Sequence, residues 1–465
     1  MITYVYPKNV LTETEKNVKN LLKKQPLQIG LGERKTTVFN ENEYIILDFG
    51  KELCGGVRIF TYRGGDIPVR IRFGESLTEA SSELGGKTNA TNNHSLRDFT
   101  VNLQSYSDMT FGQTGFRYVR IDFYGRVEIK SIVAAVNELN KKAIYIYNGN
   151  DARIREIFDV AKRTIDLCAT SGYVWDGIKR DRLVWIGDMA PEVLALTTLY
   201  GRVPEIERSL NFVKDQTPLP GWMNGYPMYS MWWIIVLDIY YEKTGAKEYI
   251  KKQIKYLIKL LNQMDGCVLD DGELNYPSYF LDWQTHDKPE EKEGVRAINI
   301  LSIKSAIKLL SLFNEDTSKA EELLYRLMKK EINAGKCKQV LALKHFAVGI
   351  SKAEQDNLIE GGAKGMSTFM SYYMLKAVAS FNKNAAIEMM KEYYGGMLDK
   401  GATTFWEDFD IEWVKNSCRI DELPKNGEKD IHGDFGAYCY TGFRHSLCHG
   451  WSAGIIAFME EEKLI

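Results

Sequence analysis

No two cysteines in this chain are spaced as a CxxC pair, and the seven that occur are scattered along 465 residues. That argues against a disulfide framework and a structural zinc site, and favours a reducing compartment. An excess of charge of either sign is also missing: 60 Lys and Arg face 62 Asp and Glu, a formal net charge of -2. Nothing therefore pulls the chain towards nucleic acid or an anionic membrane surface, and neither is expected as a partner. The most apolar run, MYSMWWIIVLDIYY, is interrupted by Asp238 and is too short to span a bilayer. The N-terminus, MITYVYPKNVLTETEKN, lacks the basic and apolar segments of a signal peptide, so a cytoplasmic location is expected. There is no Walker loop, no GxGxxG after a strand and no GxSxG, which removes the usual nucleotide and serine-nucleophile chemistries.

What the chain does have is length for two domains and many aromatics, with 26 Tyr, 20 Phe and 9 Trp. From about residue 44 to 138 the pattern is short and β-rich: YIILDFG, GGVRIFTYRG, VRIRFGE, RDFTVNL, YVRIDFYG and VEIKSIVAAV alternate β-branched and aromatic residues between Gly, Asp and Asn. Short strands at that spacing predict an antiparallel β-sandwich over residues 1–147. The stretch 80–93, ASSELGGKTNATNN, reads as an exposed loop.

After Tyr147 the period lengthens. Ile154, Ile157, Phe158, Ala161, Ile165 and Cys168 fall on one helical face behind Asp151, a natural N-cap. Helical patterns recur over 191–200, 204–215, 228–243, 248–264, 294–313, 319–331, 340–348, 365–380, 384–394 and 445–460, roughly a dozen helices in all over 148–465. Such helices close into a toroid of hairpins or stack into a solenoid; the absence of a fixed-period repeat weighs against the solenoid.

Four loops concentrate chemistry. Residues 175–191, WDGIKRDRLVWIGDMAP, follow neither a helical nor a strand period, and bring three aspartates, Lys179, Arg180, Arg182 and two tryptophans together. Taken alone, such a segment is more often a charge-paired surface loop than a site. Residues 279–286 add Asp282, Trp283 and His286; residues 401–413 add Trp406, Glu407, Asp408, Asp410 and Trp413; residues 432–451 add Asp434, Arg444, His445, His449 and Trp451. HSLCH places His445 and His449 at i, i+4, but the Glu of HExxH is absent, so hydrogen bonding or capping is preferred to a metal. Carboxylates on an early and a late loop, each beside Trp, fit the two-carboxyl requirement of glycoside hydrolysis, with an apolar wall to raise one pKa.

DGIKRDRLVWIGD, GATTFWEDFD and SLCH resemble, in order, motifs of the bacterial α-L-rhamnosidases of glycoside hydrolase family 78; ILDFGKELCGGVRI, RFGE and GFRYVRI extend the resemblance into the β region. The resemblance implies an N-terminal antiparallel β-sandwich followed by an (α/α)6 barrel, and inverting release of terminal L-rhamnose from a small glycoside or oligosaccharide. No cofactor or metal is implied, and a homodimer is left open. It places the general acid at Asp181, where the family usually has Glu, and the general base at Glu407. Asp176, Arg180, Trp185 and Asp188 match positions that hold the sugar; Trp283, Trp406 and His449 are expected to line the same pocket. Asp181 is expected to be kept protonated by burial against Trp185 and its acidic neighbours. The shorter Asp181 side chain leaves a hydrolase of another deoxy or uronic-acid sugar, or a homologue without catalysis, as alternatives. The chain stops soon after its last expected barrel helix, which reads as a two-domain form or a fragment.

Overall fold

A computed structural model describes residues 2–11, 18–83, 97–139, 141–170, 172–437 and 441–464. The N-terminal part is built on strands β1 (Ile2–Val5), β2 (Asn9–Leu11), β3 (Thr37–Phe39), β4 (Tyr44–Arg63) and β5 (Ile67–Gly74), a short helix α1 (Leu77–Ser81), then β6 (Asp98–Leu103), β7 (Ser107–Phe123) and β8 (Val127–Asn137). They form one antiparallel arrangement of eight strands in the order β1-β8-β4-β7-β5-β6, with β2 also on β4 and β3 also on β8. This matches the expected β-sandwich, although β1, β2 and β3, only three or four residues each, carry too little alternation to be read from sequence.

YIILDFG and GGVRIFTYRG, expected as two strands, are one. Register shifts between Asp48 and Leu53 and between Gly55 and Val57 bend β4 in the middle, so that its first part pairs with β2 and β7 and its second with β7 and β8. Gly55 and Gly56 are not a turn. A Cβ on Gly55 would stand 2.1 Å from the Ala135 carbonyl oxygen, and one on Gly56 2.2 Å from that of Gly112, so the pair lets three strands crowd together. Phe39, Leu47, Phe49, Val57, Ile59, Phe73, Phe116 and Ile121 form the core of this domain. The stretch 80–93 does not begin as a loop: Ala80 is buried within α1, and residues 84–93 lie outside the described residues.

The helices are α2 (Ala152–Cys168), α3 (Met189–Tyr200), α4 (Pro204–Asp215), α5 (Pro227–Thr244), α6 (Lys247–Asp265), α7 (Glu290–Ser311), α8 (Ser318–Leu327), α9 (Lys338–Val348), α10 (Lys352–Ile359), α11 (Ser371–Ala379), α12 (Lys383–Asp399) and α13 (Ile455–Glu461). Asp151 caps α2, accepting from the backbone N–H groups of Arg153 and Ile154, and all six apolar residues expected on its inner face are buried. Helices α3, α5, α7, α9, α11 and α13 each pack on the next, and α13 returns to α3, closing a ring. The even-numbered helices lie outside it, giving the six-hairpin barrel rather than a solenoid.

Burial follows that division. Every residue of α3 but Tyr200 is buried, as is α5 from Pro227 to Asp238, because an inner helix meets protein on all sides. The outer helices α2, α4 and α6 bury one face only, which is why their limits are read so closely from period alone. Two departures have physical causes. Helix α10 buries only Leu358 and is set by a capping box between Ser351 and Glu354, so it shows no apolar period. The pattern at 445–460 becomes regular helix only from Ile455, and the preceding residues are committed to side-chain contacts described below. Among the described residues no helix is long and apolar enough to cross a membrane.

Candidate functional site

The chemistry-bearing segments lie in loops that lead from an outer helix into an inner one, those before α3, α5, α7 and α13. There they enclose a pocket of about 150 Å³, lined by Asp176, Arg180, Asp181, Trp185, Asp188, Tyr226, Tyr229, Phe280, Trp283, Arg444, His449 and Trp451. Seven of the nine site residues expected from sequence are in that wall. Glu407 and Trp406 are not.

The early loop folds back on itself. The Asp176 N–H donates to the Leu183 carbonyl (3.1 Å) and the Leu183 N–H to Asp176 Oδ1 (2.9 Å), pinching off an arch that carries Lys179, Arg180 and Asp181. At its tip Asp181 and Arg182 both adopt φ near +50° (55° and 49°), a left-handed conformation that costs a non-glycine residue energy and is held here by the closed arch. Gly177 pairs with His449 in an isolated antiparallel bridge, and the Gly450 N–H donates to the Asp176 carbonyl at 2.7 Å. Early and late loops are thereby stitched into one unit. Gly187 serves the aromatic wall: a Cβ there would lie 2.1 Å from the Tyr229 ring.

Arg180 is the centre. One terminal nitrogen donates to Asp181 and the other to Glu407, while Nε donates to the Arg444 carbonyl at 3.2 Å. The two carboxylates expected as acid and base therefore meet on one guanidinium, whose planar fork suits that task. The Asp181 side chain, expected to be buried, is 19% exposed. Glu407 is buried behind the wall. Its second oxygen accepts from the Ser446 N–H at 2.9 Å, its own N–H donates to the Ser446 carbonyl at 2.9 Å, and its carbonyl accepts from Trp451 Nε1 at 3.0 Å. His449 Nε2 stands 3.5 Å from Glu407 and 3.9 Å from Asp188.

The remaining acids sit in low-dielectric surroundings. Burial and the neighbouring Asp181 push the Asp176 carboxyl well above the usual range; burial, then Asp176 and Glu407, do the same to Asp188. Glu192, one turn further along α3, is raised by burial beside both. His449 is held well below the usual histidine range by burial and by Arg180, so its ring is neutral. His445, its partner in HSLCH, accepts from the Asp408 N–H at 2.9 Å, the hydrogen-bonding role expected of it.

Trp185, Tyr229, Tyr226, Phe280 and Trp283 form a run of edge-to-face and tilted rings with centroids 4.9 to 6.3 Å apart, an apolar wall opposite the carboxylates. Trp406, expected in the pocket, is fully buried behind it against Phe409 and His445 and has no face on the cavity. Tyr226, Tyr229 and Phe280 are absent from the sequence reading because their stretch looks like ordinary core; the turn Asn224-Gly225-Tyr226-Pro227 ahead of α5 was the available signal.

Among the described residues one group has metal-ligand composition, Glu75, Glu79 and His432, with ligand atoms within 4.8 Å of one another. A protein cation fills it. Lys179 Nζ lies 3.0 Å from Glu75, 3.2 Å from Glu79 and 3.5 Å from His432 Nε2, and donates to the carbonyls of Phe443 (2.7 Å) and His445 (2.6 Å).

Asp408, accepting from Gln284 at 2.8 Å, is pushed up to about 7 by burial, and burial lifts Asp282 to about 6. A carboxyl raised on folding stabilises the native state most below its unfolded pKa, and that contribution is lost as pH rises through the folded value. Asp408→Asn, which keeps the acceptor and cannot ionise, is therefore expected to raise the denaturation midpoint relative to the parent at pH 8, with the difference closing by pH 4. Parallel urea titrations at the two pH values check it.

No protein-family model matches the sequence, and no match was found among curated proteins. Solved structures do match. A rhamnosidase from Klebsiella oxytoca with rhamnose bound aligns over 99% of this chain and 96% of its own, with TM-score 0.76 and 18% identity. A rhamnosidase of glycoside hydrolase family 78 from a Bacillus species aligns over 95% of this chain and 48% of its own, with TM-score 0.71 and 18% identity. An α-L-rhamnosidase from Streptomyces avermitilis complexed with L-rhamnose aligns over 90% of this chain and 42% of its own, with TM-score 0.68 and 16% identity. At these identities what is shared is the fold.

Proposed function

We propose that the protein is a glycoside hydrolase of the family 78 kind that releases a terminal α-L-rhamnose with inversion. The observation that carries this reading is a pocket of about 150 Å³ that gathers Asp176, Asp181 and Asp188 beside aromatic rings, with Glu407 behind it on Arg180. Inverting hydrolysis needs an acid on the leaving-group side and a base that activates water on the other face of the ring. Asp181, the more exposed of the two carboxyls, is the acid on the leaving-group side. It protonates the glycosidic oxygen. Glu407, buried behind Arg180 and beside His449, deprotonates the attacking water. Asp176 and Asp188, their carboxyls lifted by burial, bind ring hydroxyls, and Trp185 and Trp283 cover the apolar face of the sugar.

One observation favours a second substrate class. Arg180 and Arg444 both line the pocket, and two guanidinium groups would suit the carboxylate of a uronic-acid sugar. A panel of aryl glycosides that includes α-L-rhamnoside, other deoxy sugars and uronides separates the two: cleavage of the rhamnoside above all others is expected, and cleavage of a uronide in its place would reassign the sugar.

The acid role of Asp181 has its own signature. Asp181→Asn should lower kcat for an alkyl rhamnoside by about 10²–10⁴-fold. For a dinitrophenyl rhamnoside, whose leaving group needs no proton, the loss should be under about tenfold. Equal losses on both substrates would remove Asp181 from the role.

A further inference from the structure

The mechanism above makes no use of the N-terminal domain, yet that domain reaches into the back of the site. Its turn after β5 carries Glu75, wholly buried against the late loop. Glu75 Oε2 accepts from the Leu447 N–H at 2.6 Å, and Oε1 accepts from the Ser446 hydroxyl at 3.1 Å. Ser446 is the residue whose N–H and C=O hold Glu407. Glu75 is also ion-paired at 3.0 Å with Lys179, the residue next to Arg180 in the early loop. The same domain touches that loop from β7, where the Gly115 N–H donates to the Ile178 carbonyl at 2.9 Å. There is little slack: a Cβ on Gly115 would stand 2.7 Å from the Ile178 side chain and 3.0 Å from the backbone nitrogen of Lys179.

We propose that Glu75 is a positioning residue for the hydrolytic reaction, fixing Glu407 through Ser446 and Leu447 and tying that loop, through Lys179, to the arch that carries Arg180 and Asp181. The inference rests on the glycosidase reading. It adds to that reading a catalytic dependence on the N-terminal domain. Glu75 does not touch substrate, so it acts only through where it puts Glu407. A carboxylate has the acceptors this needs: one oxygen for the Leu447 N–H and the Lys179 ammonium, the other for a hydroxyl.

Asp176, Asp188 and Trp185 do not hang on Ser446, so sugar binding should survive the loss of Glu75 while base catalysis should not. In Glu75→Ala, kcat is expected to fall about 10²-fold, the cost of misplacing a catalytic group by about 1 Å, with KM within about threefold. Glu75→Gln keeps an acceptor for the Leu447 N–H and can turn its amide towards the Ser446 hydroxyl; it should recover kcat to within about threefold of the parent. Arg70→Ala, which removes ion pairs to Asp98 (2.6 Å) and Glu83 (2.5 Å) elsewhere in the same domain, controls for destabilisation alone and should leave kcat unchanged. Should Glu75→Ala not fold, Ser446→Ala breaks the hydroxyl link and should lower kcat in the same direction with KM held. An unchanged kcat in the folded variant, or a loss in Arg70→Ala as large as in Glu75→Ala, overturns the proposal. A crystal structure of the variant reads the same point without turnover. Glu407 and Ser446 shift by about 1 Å if Glu75 places them, and stay put if it does not. Inactivity of the parent on every glycoside would instead count against the glycosidase reading, leaving the crystallographic result to judge Glu75.

Discussion

Glu407→Gln is expected to lower kcat by about 10²–10⁴-fold on every substrate the protein cleaves, activated or not, because a base is needed whatever the leaving group. This sets it apart from Asp181→Asn, whose effect depends on the leaving group. The fold should survive. Gln is the same size, still accepts from the Ser446 N–H, and leaves Arg180 paired with Asp181 and the Arg444 carbonyl. KM should stay within about threefold, since residues that meet the ground-state sugar are untouched. Single-turnover kinetics on an aryl rhamnoside, with circular dichroism on the same sample, checks both halves. Wild-type kcat in this variant would remove Glu407 as the base.

The largest expected effect on stability is at Lys179. Its ammonium is the cation that two wholly buried carboxylates, Glu75 and Glu79, share, and it also satisfies two backbone carbonyls. Removing one partner of a buried ionic group leaves the others uncompensated, and Lys179→Met should cost about 3–5 kcal/mol. The sign of the pH dependence follows from Glu75, which burial pushes up to about 7 even with Lys179 beside it. Without the lysine Glu75 takes up a proton more readily, so the destabilisation should be greatest near pH 8 and shrink towards pH 6. Urea midpoints of variant and parent across that range measure it. A loss below about 1 kcal/mol, the size expected of an exposed pair, would mean that Lys179 is solvated and the buried cluster does not form.

Lys179 also shows where sequence stops being informative. In KRDR it is one basic residue among several, and it reads as part of a solvated charge run. Its acidic partners come 100 and more residues earlier, Glu75 at the end of a strand pattern and Glu79 just beyond it, and nothing local ties them to Lys179. Arg180 and Asp181 were legible because their chemistry is local, sitting with Asp176 and Trp185 on one loop that has no regular period. The helices followed the same division: α2 and α4 gave away their limits through one buried face, whereas α10, with one buried side chain, gave no period to read. The strands of β4 looked separate because a bulge interrupts alternation just as a turn does. Trp406 and Tyr229 exchanged roles for a related reason. Residue type marks an aromatic as large and flat, while its face on a cavity is decided by contacts such as that of Tyr229 with Gly187, which only folding creates.

The central claim is that the site releases L-rhamnose with inversion, Asp181 serving as acid and Glu407 as base, and the product has a handedness that can be watched. Proton NMR of the anomeric signal during the first turnovers of an aryl α-L-rhamnoside is the direct measurement. Inversion predicts that β-L-rhamnose appears first and then mutarotates. Initial appearance of α-L-rhamnose, or no rhamnose at all, would contradict the account.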